Sequence, residues 1–229
     1  MSQIILICES LGKVKKLQEY AGSNYTVIPS YGHIRELAKT GTQSLGFNLD
    51  AQKKRVSCNY ITRNSNSKKV LNKLLDAIKN SNQVVLATDE DREGEFISWH
   101  LWDALNLGNR GIKVMRVTFN EITQKAVQNA LANPRQIDMN LVNAAKARSC
   151  LDKLVGFSLS PLLWQTGTGA KSAGRCQSAA LHLLAEREKA VQSFQPEDYW
   201  LVRSHYTENL VGVVHLNNKE LRFSSEEEA

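Results

Sequence analysis

The sequence predicts an α/β protein in which a parallel sheet covered by helices is followed by a helical region and a short β segment. Two continuous apolar runs, at residues 4–8 and 84–87, each lead toward a pattern with helical spacing, which is typical of buried parallel strands. After Pro134 two long helical patterns follow, and from Tyr199 apolar and polar residues alternate as in half-exposed strands. We therefore predict three parts, at residues 1–134, 135–196 and 197–229.

The elements of the first part alternate between strand and helix, as the strands and crossover helices of a parallel sheet do. The run at residues 4–8 ends at Glu9, and Ser10 is a candidate cap for the helix that follows. Residues 39–66 are rich in Gly, Ser, Thr and Asn and are predicted to be mostly loop. The other predicted elements are a helix at 69–78, a strand at 84–87, a helix at 95–105, a strand at 113–119 and a helix at 122–131, which Asn133 and Pro134 stop.

The second part is predicted to hold two long helices, at residues 139–157 and 173–191. They are joined by Ser160-Pro161 and by a Gly-rich segment at residues 166–174. This segment superficially suggests a phosphate-binding loop. It lacks the Gly-Lys-Ser/Thr ending of such loops and does not follow a strand, so a nucleotide-binding role is rejected.

Composition and charge exclude several classes of protein. The 29 basic residues outnumber the 23 acidic ones, and the net charge of +6 suits a polyanionic partner, although only loosely. The four cysteines are far apart, so neither a disulfide framework nor a zinc site is indicated and reduced thiols are expected. No apolar run approaches the ~18 residues of a membrane span, and the chain does not open like a signal peptide. We expect no membrane contact and a cytoplasmic, nucleoid-associated protein.

Four acidic residues are candidates for a metal site. Asp89, Asp91 and Glu93 follow the second apolar run and Glu9 follows the first, at the strand ends where open α/β sheets bind ligands. The spacing predicts that the three later carboxylates converge. Such a cluster requires a cation, and hard oxygen ligands favour Mg²⁺. The alternative is that these acids only complement the positive end of the next helix, which does not explain the equivalent position of Glu9.

Six segments resemble, in the same order along the chain, the motifs of the type IA DNA topoisomerases. The pattern of Glu followed later by Asp-x-Asp-x-Glu is also similar to the Toprim fold that these enzymes share with primases and some nucleases. The segments are Cys8-Glu9-Ser10-x-x-Lys13, Ser30-Tyr31-Gly32-His33-Ile34-Arg35, Ala87-Thr88-Asp89 through Trp99-His100-Leu101, Phe119-Asn120-Glu121-Ile122-Thr123, Ser160-Pro161-Leu162-Leu163-Trp164 and Ser172-Ala173-Gly174-Arg175. The resemblance implies a Rossmann-like Toprim domain at residues 1–134, a helical DNA-binding region at 135–196 and the start of a β-rich gate domain at 197–229.

The family resemblance also implies an activity and a magnesium cofactor. In this family a tyrosine attacks a DNA phosphodiester without ATP, which gives a 5′-phosphotyrosyl link and a 3′-hydroxyl that are later rejoined. Glu9 matches a catalytic glutamate that manages the proton of the leaving 3′-oxygen, and Asp89, Asp91 and Glu93 match the magnesium-binding acids, with Glu9 beside them. Lys13 matches a lysine close to the scissile phosphate, and the alternative is a solvated helix lysine.

Other positions match family residues at the active site and on the DNA. His33 matches an active-site histidine, although a structural role is the alternative. Arg148 and Asp152 match residues that hold the single strand and sense a base upstream of the cleavage, and an internal ion pair is the alternative for them. By residue pattern alone, Arg148 falls on an apolar helix stripe, where a guanidinium would be costly without an anion. The residues expected to contact the DNA backbone are Arg175, Gln177 and, more weakly, Arg116.

The nucleophile of the family is expected to lie outside this chain. None of the six tyrosines stands in the family's nucleophile context, so the C-terminal topoisomerase domains are expected as partners and the chain alone is predicted not to cleave DNA. Two departures from the family pattern are Leu11, where proline is usual, and Ser149, where many members have a second arginine. Another Toprim enzyme, such as a primase or nuclease, and a non-catalytic DNA-binding module remain open. The motifs at residues 160–164 and 172–175 favour the topoisomerase.

Overall fold

The computed structural model describes residues 3–52 and 55–229. The chain divides into two compact units, Met1–Arg175 and Cys176–Ala229. The predicted boundary at residue 134 therefore falls inside the first unit. Within the described residues, no helix combines the length and the apolar character needed to cross a membrane.

The first unit contains eight strands and five helices among its described residues. The strands are β1 (Ile4–Cys8), β2 (Tyr25–Pro29), β3 (Arg35–Leu37), β4 (Phe47–Asp50), β5 (Arg55–Cys58), β6 (Tyr60–Thr62), β7 (Gln83–Ala87) and β8 (Lys113–Arg116). The helices are α1 (Leu11–Ala21), α2 (Ser65–Ile78), α3 (Arg92–Ala104), α4 (Gln124–Ala132) and α5 (Met139–Gln165). The predicted alternation of strand and helix holds for the elements of the parallel sheet, but the strands β3 to β6 interrupt it.

A four-stranded parallel sheet with the order β2-β1-β7-β8 forms the centre of this unit. Successive residues of a strand point to opposite faces, and both faces of this sheet are covered. One face of β1 and β7 packs with residues of α2 and α3, and the other packs with residues of α1 and α4. Every residue from Val84 to Ala87 is buried. Burial on both faces explains why these strands are continuous apolar runs in the sequence.

The region predicted to be loop, residues 39–66, contains three strands, so that prediction is wrong. β4 pairs with β5 and β6 pairs with β3, in both cases antiparallel. These strands are three or four residues long, and within β4 only Phe47 is buried. With at most one buried position per strand the alternation of apolar and polar residues is too short to distinguish a strand from a polar loop.

Helix α5 continues past the break that was predicted at Ser160-Pro161. It begins at Met139, where the Asp138 carboxylate accepts hydrogen bonds from the amides of Asn140 and Leu141, and it ends at Gln165 with Pro161 inside it. A proline within a helix removes one backbone hydrogen bond. The helix is largely exposed here, so the carbonyl that loses its partner can face water.

The second unit consists of one helix and short hairpin strands. Helix α6 (Arg175–Gln192) begins at the last residue of the first unit and is exposed along its length. The strands β9 (Arg203–Thr207) and β10 (Leu210–Val213) form one antiparallel pair, and β11 (His215–Leu216) and β12 (Lys219–Glu220) form another. The alternating pattern from Tyr199 thus corresponds to strands, as predicted.

Candidate active site

The candidate site lies at the carboxyl ends of β1 and β7, which are neighbours in the sheet. Cys8 at the end of β1 pairs in register with Ala87 at the end of β7. The next residues along the two strands include Glu9 and Asp89, so these two acids come from adjacent strands. The amide of Gly32 donates to the Glu9 carbonyl oxygen at 3.0 Å and connects the His33 segment to the same edge.

The three later carboxylates have separate partners. Asp89 pairs with the ammonium group of Lys13, and Glu93 contacts Nε2 of His33. Asp91 caps α3, because its Oδ1 accepts a hydrogen bond of 2.6 Å from the Gly94 amide. Within the described residues no three acidic, histidine or cysteine side chains are grouped closely enough to hold a metal ion. In this structure the three carboxylates therefore have separate partners, and their predicted convergence on one cation stays a prediction.

The carboxyl group of Glu9 has a raised pKa, to which the same acids contribute. Burial raises the pKa of the Glu9 carboxyl above its usual value, and the negative charges of Asp89 and Asp91 raise it further, while Lys13 partly offsets them. A surface pocket of about 400 Å³ lies at this edge and is lined by Lys13, Asp89, Asp91 and Glu121, among others. The edge is thus an acidic concavity with a lysine in it, and the sequence-predicted residues Glu9, Lys13 and Asp89 are brought together.

Gly94 permits α3 to start directly against the acidic segment. A Cβ placed on Gly94 would lie 2.2 Å from the carbonyl oxygen of Asp89, a separation that real Cβ atoms do not show. The Gly94 carbonyl also accepts a hydrogen bond of 2.6 Å from the buried Thr88 hydroxyl. The position therefore requires glycine because of close approach between two backbone segments.

We expect Gly94→Ala to lower the free energy of unfolding by about 1–3 kcal/mol, because the added methyl group must push the Asp89 backbone away. Urea denaturation measures this change. Gly12→Ala is the matched control, since a Cβ at Gly12 in α1 meets no atom within 4 Å. The control should be neutral or slightly stabilising. Equal stability of the two variants would contradict the close-packing argument.

A buried ion network lies behind the acidic edge. Glu95 is 1% exposed, and its carboxylate accepts hydrogen bonds from Arg116 at 3.1 Å, from Arg135 at 2.7 and 2.9 Å, and from the Asp138 amide at 2.6 Å. Burial alone would raise the pKa of the Glu95 carboxyl, but the Arg135 and Asp138 hydrogen bonds and the charge of Arg116 hold it below its usual value. Glu95 therefore links α3, β8 and the start of α5 as an anion.

Arg116 was predicted to contact DNA, and its position corrects that prediction. Its side chain is fully buried and donates to the carbonyl oxygens of Leu86, Thr88 and Asp89 at 3.2, 2.8 and 2.8 Å. A guanidinium with these partners and with Glu95 has no exposed surface for a phosphate. Arg116 instead fixes the backbone of the segment that carries Asp89. An arginine near the end of a strand has the same sequence pattern in either role.

Neither Glu95 nor Arg135 was predicted from the sequence to be a functional residue. Glu95 lies directly before Phe96 and Ile97, which are buried in α3. An acid next to an apolar stretch of a helix is the available signal for a buried ion pair, because a charge is rarely buried without a partner. Nothing in the sequence identifies which arginines meet it.

A second pocket, of about 480 Å³, extends from His33 and Glu93 to α5. It is lined by basic, acidic and aromatic side chains, including Arg35, Tyr60, Arg63, His100, Arg148 and Asp152. His100 is buried, and burial lowers the pKa of its imidazole to about 2, with the charges of Arg35 and His33 adding to the effect. Its ring is therefore neutral, and the charged side chains of the lining are three arginines and three acids, namely Arg35, Arg63, Arg148, Glu36, Glu93 and Asp152.

Arg148 and Asp152, the two residues on α5 that were predicted to hold the DNA strand, line this pocket. Asp152 accepts from Nη2 of Arg175, which lies 2.8 Å from each of its carboxylate oxygens, and Nε of Arg148 lies 3.7 Å from the same carboxylate. The side chain of Arg148 is 48% exposed. The argument that Arg148 would be costly on an apolar stripe is thus wrong, since water already solvates it. Gln177 lies on α6 in the second unit, where it also has interaction partners.

Comparisons with known proteins agree with this architecture. A sequence model of the Toprim domain matches residues 4–122, and a second one, described as DNA topoisomerase, matches residues 136–229. The chain is 45% identical over 212 residues to DNA topoisomerase 1 of Zymomonas mobilis and 40% identical over 231 residues to that of Rickettsia bellii, which covers 91% and 95% of this chain. It spans only 17% and 27% of the lengths of these two relatives.

A solved structure shows the same fold. The full-length topoisomerase I of Thermotoga maritima superimposes with a TM-score of 0.73 at 35% sequence identity, which covers 98% of this chain and 36% of that protein. The Toprim match alone extends over more than half of the residues. The chain therefore belongs to the type IA DNA topoisomerase family, and its parallel sheet is the Toprim domain of that family.

Proposed function

We propose that this chain provides the magnesium-binding and DNA-gripping part of an enzyme that breaks, passes and rejoins single DNA strands without ATP, through a 5′-phosphotyrosine link. The attacking tyrosine comes from sequence outside these 229 residues, and the enzyme acts on nucleoid DNA in the bacterial cytoplasm. The observation that carries this proposal is the acidic edge of the sheet, where Glu9 and Asp89, from neighbouring parallel strands, lie beside Lys13.

Mg²⁺ fits the donor set at this edge. Asp89, Asp91, Glu93 and Glu9 offer only carboxylate oxygens, which are hard ligands, and all of them lie at the ends of β1 and β7 or just beyond. The Lys13 ammonium on Asp89 indicates that a positive charge is already favoured there. We assign Asp89 and Asp91 as the main ligands, with Glu93 and Glu9 beside them. The ion would screen the charge of phosphate and position the DNA ends for rejoining.

Three side chains at this edge, Lys13, Glu9 and His33, have separate roles in this proposal. Lys13 is a compact cation that can stabilise charge on the non-bridging oxygens of the scissile phosphate. Glu9 handles the proton of the leaving 3′-oxygen. His33 contacts Glu93 and orients that carboxylate. Each of these side chains is at least partly exposed at the edge, as contact with DNA requires.

The second pocket is the proposed path of the single strand next to the cleavage site. Arg148 and Asp152 line it, Arg175 is paired with Asp152, and His33 lies at its other end beside Glu93. A guanidinium that is half exposed can exchange a carboxylate for a phosphate at little cost, since surface ion pairs contribute about 0–1 kcal/mol. Gln177 on α6 is the remaining proposed backbone contact.

Mg²⁺ titration calorimetry tests the acid site. We expect the chain to bind Mg²⁺, and the variant Asp89→Asn/Asp91→Asn to bind it about tenfold more weakly or not at all, since the coordinating carboxylates are replaced by neutral amides. Glu19→Gln/Asp76→Asn is the matched control, because it removes the same charge at two exposed positions near the carboxyl ends of α1 and α2. The control should bind as the parent does. A parent that shows no Mg²⁺ binding, or equal losses in both variants, would contradict the assignment.

A further inference from the structure

Two cysteines of the first unit are in contact although they are far apart in the sequence. Sγ of Cys58, at the end of β5, lies 3.5 Å from Sγ of Cys150, in the middle of α5. Both belong to one apolar cluster with Leu37, Leu45 and Phe47. No residue of the acidic edge belongs to this cluster. The contact is therefore separate from the proposed metal site.

We propose that Cys58 and Cys150 are a redox-active thiol pair that closes to a disulfide when the protein meets a peroxide and reopens when a thiol reductant is present. The bonded sulfur separation is about 2.0 Å, so the two atoms need to approach by about 1.5 Å. Rotation about the two side chains can supply a movement of this size.

The two thiols differ in access to an oxidant. Cys58 is partly exposed and lines a surface pocket of about 300 Å³, together with Gly46 and Ser57 among others. Cys150 is buried, and burial raises the pKa of its thiol to about 12, an effect that the charges of Lys153 and Lys146 only partly offset. A peroxide can reach Cys58 from this pocket, whereas Cys150 stays protonated until its neighbour has reacted.

The chemistry proceeds in two balanced steps. In the first, the Cys58 sulfur attacks hydrogen peroxide, the O–O bond breaks, and Cys58 becomes a sulfenic acid while one water leaves. In the second, the Cys150 sulfur attacks the Cys58 sulfur, the S–O bond breaks, and the departing hydroxide takes the Cys150 proton as a second water. The two thiols lose two electrons and two hydrogens in total, and the peroxide is reduced to two waters.

The other two cysteines lie outside the contacting pair, and they differ in exposure. Cys8 is buried in the central sheet, where burial raises the pKa of its thiol to about 11, and its Sγ donates to the Ser10 carbonyl oxygen at 3.4 Å. Cys176 is exposed, but it lies on α6 in the second unit. In a reducing compartment the pair would be reduced at rest and oxidised only transiently.

Peptide mapping of the whole chain tests this proposal directly. The protein is treated with stoichiometric hydrogen peroxide, alkylated and digested with trypsin without reduction. Cleavage by trypsin leaves Cys58 in the peptide 56–63 and Cys150 in the peptide 149–153. We expect these two peptides to be joined with the loss of two hydrogens, and the count of free thiols to fall from four to two. Dithiothreitol should restore all four, and the oxidised chain should melt about 5 °C or more above the reduced one.

Controls separate this pair from other oxidation products. Cys58→Ser should keep three reduced thiols after the same treatment, and a Cys8→Ser/Cys176→Ser variant should still form the linked peptide. Sulfinic acid at Cys58 without a linked peptide, or a disulfide that involves Cys176, would overturn the proposal. The experiment measures only the oxidation state of the cysteines of this chain. A negative result is therefore distinguishable from a failure of Mg²⁺ binding.

Discussion

Replacement of Glu95 by Gln is expected to lower the free energy of unfolding by about 3–5 kcal/mol, the cost of breaking a buried ion pair from one side. Glu95 is the shared partner of Arg116 and Arg135. The variant keeps the shape of the side chain but leaves the fully buried Arg116 guanidinium without its counter-charge. Urea denaturation at neutral pH measures the loss. Glu90→Gln, at an exposed acid nearby, is the control and should change the stability by less than about 0.5 kcal/mol.

The same prediction has a defined dependence on pH. The pKa of the Glu95 carboxyl is held below its unfolded value in the folded protein. A carboxyl group of this kind contributes stability above its unfolded pKa of about 4.3, and this contribution is lost as the pH falls through the folded-state pKa. The difference in stability between the parent and Glu95→Gln should therefore be constant from pH 8 to about 5 and shrink below that. A difference that grows toward acid would contradict the assignment of Glu95 as an anion.

Removal of both arginines at the second pocket is the other large effect that we expect. Arg148→Ala/Arg175→Ala should weaken binding of a single-stranded oligonucleotide about 10- to 100-fold, at about 1 kcal/mol or more per charged contact. Fluorescence anisotropy over a salt series measures it. The slope of log affinity against log salt should become shallower by about 0.7 for each phosphate that the variant no longer neutralises. The dependence on salt thus tests whether the arginines meet phosphates.

A charge-matched control removes the general effect of net charge. Lys68→Ala/Lys73→Ala takes two positive charges from the exposed face of α2 and should leave affinity within about twofold of the parent. Thermal melting checks that both variants are folded. Their melting temperatures should stay close to that of the parent, because the ion pairs of Arg148 and Arg175 with Asp152 are at the surface and contribute little to stability. If the two double variants lost affinity equally, the pocket would have no special part in DNA binding.

The features that the sequence could predict are those that depend on local pattern. The strands β1 and β7 are buried on both faces, so they are uninterrupted apolar runs, and the acids Glu9 and Asp89 follow them directly. The order of the topoisomerase motifs then identified the family. The short strands at residues 39–66 were missed because a strand with at most one buried residue shows no period.

The features that the sequence could not predict depend on contacts between distant segments. Arg116 was assigned to DNA on the family resemblance, whereas its partner in the structure, Glu95, lies on another element that spacing along the chain does not connect to it. The separate partners of Asp89, Asp91 and Glu93 are set by Lys13, by the α3 amides and by His33. The spacing of alternate residues predicts that the carboxylates project to one side of the segment. The partners available on that side decide which group each carboxylate contacts.

The strand order of the central sheet has a consequence for how the site is acquired during folding. β7 lies between β1 and β8, so β1 has β2 as its only partner in this sheet until the residues of β7 have been inserted. Parallel pairing of segments this distant has a high contact order and is slow. Glu9 and Asp89 therefore meet only after the sheet has closed around β7. We expect early folding intermediates to contain the β1-α1-β2 segment without any capacity for Mg²⁺, and the acidic site to arise at a late step.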